Sequence, residues 1–194
     1  DVGWLSSRSW GAHVVRPNDE EILRLGAAGV GIAHCPSSNM ILSSGIAPVV
    51  AMREAGCQVG LGCDGSSSAD SGSLWQEARL AMLQGKLVSG ADKMNARTAL
   101  EIATRGGAAC LGRTGELGEL SPGSVGDIAI WRLEGPQFAG VLDDPIEGWL
   151  RCGPLAATHV FVHGNQIVDE GIFANPQMEE MLSRHRTVAQ RFQP

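Results

Sequence analysis

Three short apolar runs in this chain each end on a side chain that can carry a proton. Trp10-Gly-Ala-His13-Val-Val15 puts a histidine after the first run, and Val30-Gly-Ile-Ala-His34-Cys35-Pro36 puts another after the second. Cys57-Gln-Val-Gly-Leu-Gly-Cys-Asp64-Gly65 ends the third on a carboxylate. Imidazole and carboxylate groups that meet can take a proton from water and return it to a leaving group, which is the substance of general acid–base catalysis. Asp64 opens into Ser66-Ser-Ser-Ala-Asp-Ser-Gly-Ser73, a small polar loop. An α/β barrel presents its catalytic groups in this way, from the carboxyl ends of parallel strands into glycine- and serine-rich loops. Three such strands would deliver His13, His34 and Asp64 to one rim.

The elements that must position these residues follow from pattern. Pro17-Asn-Asp-Glu-Glu21 predicts a helix with acids in its first turn, favourable for the helix dipole, ending at Gly26 or Gly29. Residues 46–56 predict a second helix, with Pro48 near its first turn and Gly56 as C-cap. Leu74 to Leu83 has an apolar face of Leu74, Ala78, Ala81 and Met82, and residues 93–110 predict an alanine-rich helix. Strands alternating with helices imply a parallel sheet. Near residue 112 the pattern changes. Gly115 to Asp127 is turn-rich, Ile128 to Leu133 reads as a strand, and His159 to Glu170 reads as a hairpin around a Gly164-Asn165 turn. Met178 to Phe192 reads as a polar terminal helix. The division expected is an α/β portion over 1–112, a small β portion over 113–175 and a helix over 176–194.

Composition excludes several classes. With 194 residues, 43% hydrophobic and 19% charged, the chain can bury a core. A net charge of −6, with no cluster of lysine and arginine, argues against nucleic acid or an anionic membrane as partner. No apolar run reaches the roughly 18 residues of a transmembrane helix. The five cysteines are scattered singly, without a CxxC pair, which reads as reduced thiols of a cytoplasmic protein and disfavours a cysteine-based zinc site. Gly60-Leu-Gly62-Cys-Asp-Gly65 fits a dinucleotide-binding fingerprint, but small polar residues rather than a helical period follow its glycines and Asp64 would repel a phosphate.

Ala12-His13, Ala33-His-Cys-Pro-Ser-Ser-Asn39, Ser44-Gly-Ile-Ala-Pro48 and Leu61-Gly-Cys-Asp-Gly65 resemble the amidohydrolase superfamily, in its aminohydrolase branch acting on purines, pterins and triazines. Leu111 to Asp127 and His159 to Gly171 resemble parts of the β-sandwich that flanks these barrels, so the resemblance covers nearly the whole chain. His34 to Pro48, and Asp144-Pro-Ile to Cys152-Gly-Pro154, are most similar to members that deaminate 8-oxoguanine.

The resemblance implies the C-terminal part of a (β/α)₈ barrel, strands six to eight, with part of a small β-sandwich, and one divalent metal. Asp64 matches the eighth-strand metal-binding aspartate, and His13 the sixth-strand histidine that contacts the attacking water. Zinc is the expected ion, though iron or manganese would suit the same donors. The implied partner is a small heterocyclic substrate. Barrels of this family often pair, which makes a homodimer the corresponding expectation. The first-strand His-x-His pair, the fifth-strand histidine and its proton-shuttling glutamate have no counterpart here.

Each candidate also has a plainer reading. Asp64 could be a turn aspartate before glycine, and His13 a satisfied core histidine. His34 could touch the substrate or act as a structural hydrogen-bond donor, and Asn39 could pair with the substrate's amide edge or cap its loop. His159, His163 and His185 read as surface residues. Only three strand–helix units are present, whereas a closed barrel takes roughly 250 residues. The chain is therefore expected to be the C-terminal portion of a larger protein or a half that needs a companion chain. The expected reaction is hydrolytic deamination of an aminated purine, with triazine or S-adenosylhomocysteine-type substrates as the alternative and a non-catalytic fragment as the reading of another class.

Overall fold

The three apolar runs form a parallel sheet in a computed structural model that describes residues 3–141 and 143–192. The chain divides into two units, Asp1–Val125 with Leu133–Leu155, and Gly126–Arg132 with Ala156–Pro194. In the first, β1 (Trp10–Ala12) leads to α1 (Asp19–Ala27), whose start is fixed by reciprocal bonds. The Glu21 amide donates to Asn18 Oδ1 at 2.9 Å, and the Asn18 amide to Glu21 Oε2 at 2.8 Å. β2 (Gly31–His34) runs into the short α2 (Pro36–Ile41), then α3 (Val49–Glu54), β3 (Gln58–Leu61), α4 (Ser66–Ala69) and α5 (Leu74–Ser89). α6 (Ala96–Glu101) passes through a π-helical turn, Ile102–Gly106, into α7 (Gly107–Cys110), and α8 (Pro145–Cys152) completes the unit.

The strand order is β1-β2-β3, with Ala12 opposite Ala33 and His34 opposite Leu61. Helices cover the sheet, so the central strand is apolar up to its final residue, His34, rather than alternating. Val30, Ile32 and Val59 pack into one core with Met52, Ala78, Met82, Met94, Ile102 and Leu150. Close backbone approach sets the helical layer on β3. A Cβ on Gly106 would stand 2.0 Å from the Val59 carbonyl oxygen, and one on Gly60 would stand 2.9 Å from Gly107 Cα. α5 and α8 lock through Trp75 and Trp149, which meet edge to face at 6.4 Å while Trp75 Nε1 donates to the Trp149 carbonyl at 3.1 Å.

The second unit is an antiparallel sheet of β4 (Ile128–Ile130), β5 (His159–Val162), β6 (Asn165–Asp169) and β7 (Ile172–Phe173) in that order, with α9 (Met178–Ala189) at its end. The hairpin turns on His163-Gly164 rather than on Gly164-Asn165. Both residues take positive φ, 51° and 76°, as a type I′ turn demands. Other boundaries differ from expectation: α3 runs only from Val49 to Glu54, α6 starts at Ala96, α5 continues to Ser89, and the strand from Ile128 stops at Ile130. Among the described residues no helix is long and apolar enough to cross a membrane.

Candidate active site

His13 stands one residue beyond β1. Its amide extends the ladder to the Ala33 carbonyl at 2.9 Å, and the Val14 amide turns back to the Ala12 carbonyl at 2.8 Å. The result is a γ-turn centred on His13, with φ of 69° there and 41° at Val14. Asp64 has φ of 60° just beyond β3, after the Gly62 amide has made a ladder bond to the His34 carbonyl at 2.9 Å. Left-handed backbone is uncommon outside glycine and concentrates where structure over-determines a functional group. These two bends carry the side chains over the end of β2, where His13 Nε2 lies 3.6 Å from Asp64 Oδ2. The two side chains are 37% and 35% exposed, open to a small molecule.

Behind them lies α2, begun by Pro36 at its first turn. Ser38 Oγ donates to Asp64 Oδ2 at 2.6 Å, the Gly65 amide donates to Oδ1 at 2.8 Å, and Ser68 Oγ lies 3.3 Å from Oδ2. Led by the Ser38 hydroxyl, these donors and the neighbouring His13 hold the Asp64 carboxyl below the usual carboxylate range. Asp64 is therefore an anion at neutral pH. Asn39 Oδ1 pairs with His13 Nδ1 at 2.9 Å. α2 is itself held from α5, since the buried Glu77 accepts the Ser37 amide through Oε2 at 2.9 Å.

His34 ends β2 and is 1% exposed, and among the described residues Nδ1 has no hydrogen-bond partner. Burial first, and His13 second, push its pKa down to about 4, so the ring is neutral. Asn39 Nδ2 is likewise buried with no partner among the described residues. Such orphaned polar atoms are rare in folded proteins and mark positions that a ligand can satisfy. Cys35 is no nucleophile. Burial, then the charges of Asp64 and Glu77 and the Cys63 thiol, raise its thiol to about 11, against the low pKa of reactive cysteines.

Of the residues singled out by sequence, His13, Asp64 and Asn39 come together, and His34 sits at the end of the strand between them. Ser38 and Glu77 were missed as parts of the site, whereas Ser68 lies in the stretch Ser66 to Asp70 that the sequence offers as pocket lining or as a solvated loop, and it sides with the pocket. Pro36 before a serine pair was the available sign that a helix starts there. His159 lies in the other unit, between Asp169 and Glu170 at 3.2 and 3.5 Å, and His163 and His185 are exposed. Among the described residues no three His, Cys, Asp or Glu side chains converge as a cation cage. Asp64 offers one oxygen of the kind zinc accepts, which is part of a donor set and not a whole one.

A model of the amidohydrolase family matches residues 2–173. The chain is 44% identical over 188 residues to 8-oxoguanine deaminase of Pseudomonas aeruginosa, covering 97% of this chain and 41% of that protein. It is 44% identical over 144 residues to a 5-methylthioadenosine/S-adenosylhomocysteine deaminase of Halobacterium salinarum, covering 74% of this chain and 33% of the relative. Among solved structures, atrazine chlorohydrolase from Arthrobacter aurescens complexed with zinc superposes with a TM-score of 0.89 at 37% identity, over 96% of this chain and 42% of that one. The chain thus spans about two fifths or less of the curated relatives named here.

Proposed function

This chain belongs to the amidohydrolase family, and from that membership we propose that it carries the aspartate side of a metal-dependent aminohydrolase site. The reaction proposed is hydrolytic deamination of an aminated purine-type heterocycle, 8-oxoguanine with water giving urate and ammonia. β1, β2 and β3 are read as strands six to eight of a (β/α)₈ barrel, residues 113–175 as a β-sandwich portion and 176–194 as a terminal helix. Parallel pairing in sequential order and the alternating helices support the barrel assignment.

One observation carries the proposal. Two residues in left-handed backbone, His13 and Asp64, are bent toward each other beyond two separate strands. Asp64 is the residue that would hold a divalent ion, zinc being suited to such donors, and a bound ion supplies the acidity that makes water a nucleophile near neutral pH. Asp64, kept ionised by Ser38, Gly65 and Ser68, receives the proton of the attacking water at Oδ2. His13 Nε2 orients that water from the opposite side. His34 Nδ1 and Asn39 Nδ2, buried and unpaired, are assigned to the polar edge of the heterocycle. The departing amine needs a proton from a group outside these residues.

Ammonia release, with chloride release for the chlorinated triazine, decides the reaction and the substrate together, in the natural protein that carries this chain. Turnover of 8-oxoguanine is expected to exceed that of S-adenosylhomocysteine, 5′-methylthioadenosine and a chlorinated triazine. The similarity to 5-methylthioadenosine/S-adenosylhomocysteine deaminases supports the second reading, which a reversed order would establish. Asn tolerates the left-handed backbone at both positions. Asp64→Asn and His13→Asn should therefore each lower turnover at least about a hundredfold while moving the melting temperature by no more than about 3 °C. Full activity in either variant would remove that residue from the mechanism.

A further inference from the structure

Consecutive residues of α2 hold different partners in the site. Ser38 grips the Asp64 carboxylate at 2.6 Å, and Asn39 Oδ1 meets His13 Nδ1 at 2.9 Å. Ser38 and Asn39 are 0% and 2% exposed, so the groups that hold are fixed in the interior while the groups held face outward. A neutral imidazole has one N–H, and an amide oxygen can only accept. With Oδ1 against Nδ1, the proton is on Nδ1 and Nε2 keeps its lone pair. The other side of the ring agrees. A protonated Nε2 facing an ionised carboxylate would close to a charge-assisted distance of roughly 2.8 Å, yet Nε2 and Oδ2 stand 3.6 Å apart. Two acceptors facing one another at that separation suit a donor held between them.

We propose that Asn39 is a positioning residue for His13, its amide oxygen fixing the Nδ1–H tautomer and turning the Nε2 lone pair toward Asp64. This rests on reading His13 and Asp64 as the reacting pair. The strands bring the two residues to the same rim, and α2 sets which atoms face each other. Glu77 contributes at one remove, because its bond to the Ser37 amide anchors the turn from which Ser38 and Asn39 project.

The tautomer can be read directly. In the natural protein labelled with ¹⁵N-histidine, at about pH 8 where an imidazole is neutral, the His13 nitrogens are identified by their loss in His13→Asn. The expected pattern is a protonated Nδ1 and an unprotonated Nε2. Asn39→Ala should move the population toward the Nε2–H form and lower kcat by roughly tenfold to a hundredfold, a rise in KM being the separate mark of Nδ2 lost from the edge of the heterocycle. Asn39→Asp retains an acceptor and should restore the Nδ1–H form with partial recovery of kcat. A wild-type His13 in the Nε2–H form overturns the proposal, as does an unchanged tautomer in Asn39→Ala. Should Asn39→Ala fail to fold, the wild-type and Asn39→Asp spectra decide. The spectrum needs no turnover, so a protein inactive on every amine offered would refute the reaction and leave the role of Asn39 to be judged on its own.

Discussion

His34 shows how burial decides the charge of a histidine beside an active site. Desolvation and the nearby His13 lower its pKa from 6.5 to about 4, so the folded protein refuses a proton that the unfolded chain accepts. Stability from this source is whole above pH 6.5, falls as pH drops below that value, and stops falling near pH 4. The change corresponds to something of the order of 3 kcal/mol. His34→Gln has no such proton to refuse. Its urea-unfolding free energy should depend less on pH between 6.5 and 4 than that of the wild type, and parallel curves would mean that His34 is not held neutral by the fold. At this scale the sequence was informative where chemistry follows from strand ends, as at His13 and Asp64. It was silent on Ser38, because one serine among several gives no sign that its hydroxyl will meet a carboxylate beyond another strand.

Among the helices, those with a long apolar face or with end signals were legible, as the six-residue α3 was from Pro48 and Gly56, and the short ones without such signals were not. α5 shows its apolar face in sequence, and α1 announces itself through Asn18 and Glu21. α2 and α4 have six and four residues, too few for a helical period to register. α8 had a local signal, Asp144 followed by Pro145, and Asp144 Oδ1 does accept the Ile146 and Glu147 amides at 3.1 Å. The π-helical turn before α7 was beyond pattern altogether, since its cause is tertiary: the helix must come down onto the β3 backbone. That contact is testable with adjacent glycines. Gly106→Ala would drive a methyl to 2.0 Å from the Val59 carbonyl, whereas a Cβ on Gly107 meets nothing within 4 Å. Gly106→Ala should cost about 3 kcal/mol or more, a fall in melting temperature of about 6 °C or more. Gly107→Ala, at a helical position, should be close to neutral, and equal effects of the two in a thermal melt would show that the close approach is not what fixes the helix.

Across the whole molecule, alternation of strands and helices made a parallel sheet readable before any coordinates, whereas the completeness of the site depends on which side chains meet in space. A catalytic zinc is held by three protein ligands and keeps a further position for water. Here Asp64 supplies one suitable group, and among the described residues no three of the right type converge. The chain also spans about two fifths of the 8-oxoguanine deaminase it resembles. These facts make one expectation about metal. Produced alone, the 194-residue chain should retain zinc only substoichiometrically after gel filtration, as measured by elemental analysis. The natural protein should hold about one ion per site, and Asp64→Asn should lower that occupancy. Retention by the natural protein but not by the isolated chain supports a site completed by other residues. Failure of both to hold metal supports the non-catalytic reading. One zinc bound per isolated chain would refute the partial site, because a single carboxylate on a strained turn, open to solvent on one side, does not hold zinc through a column against water.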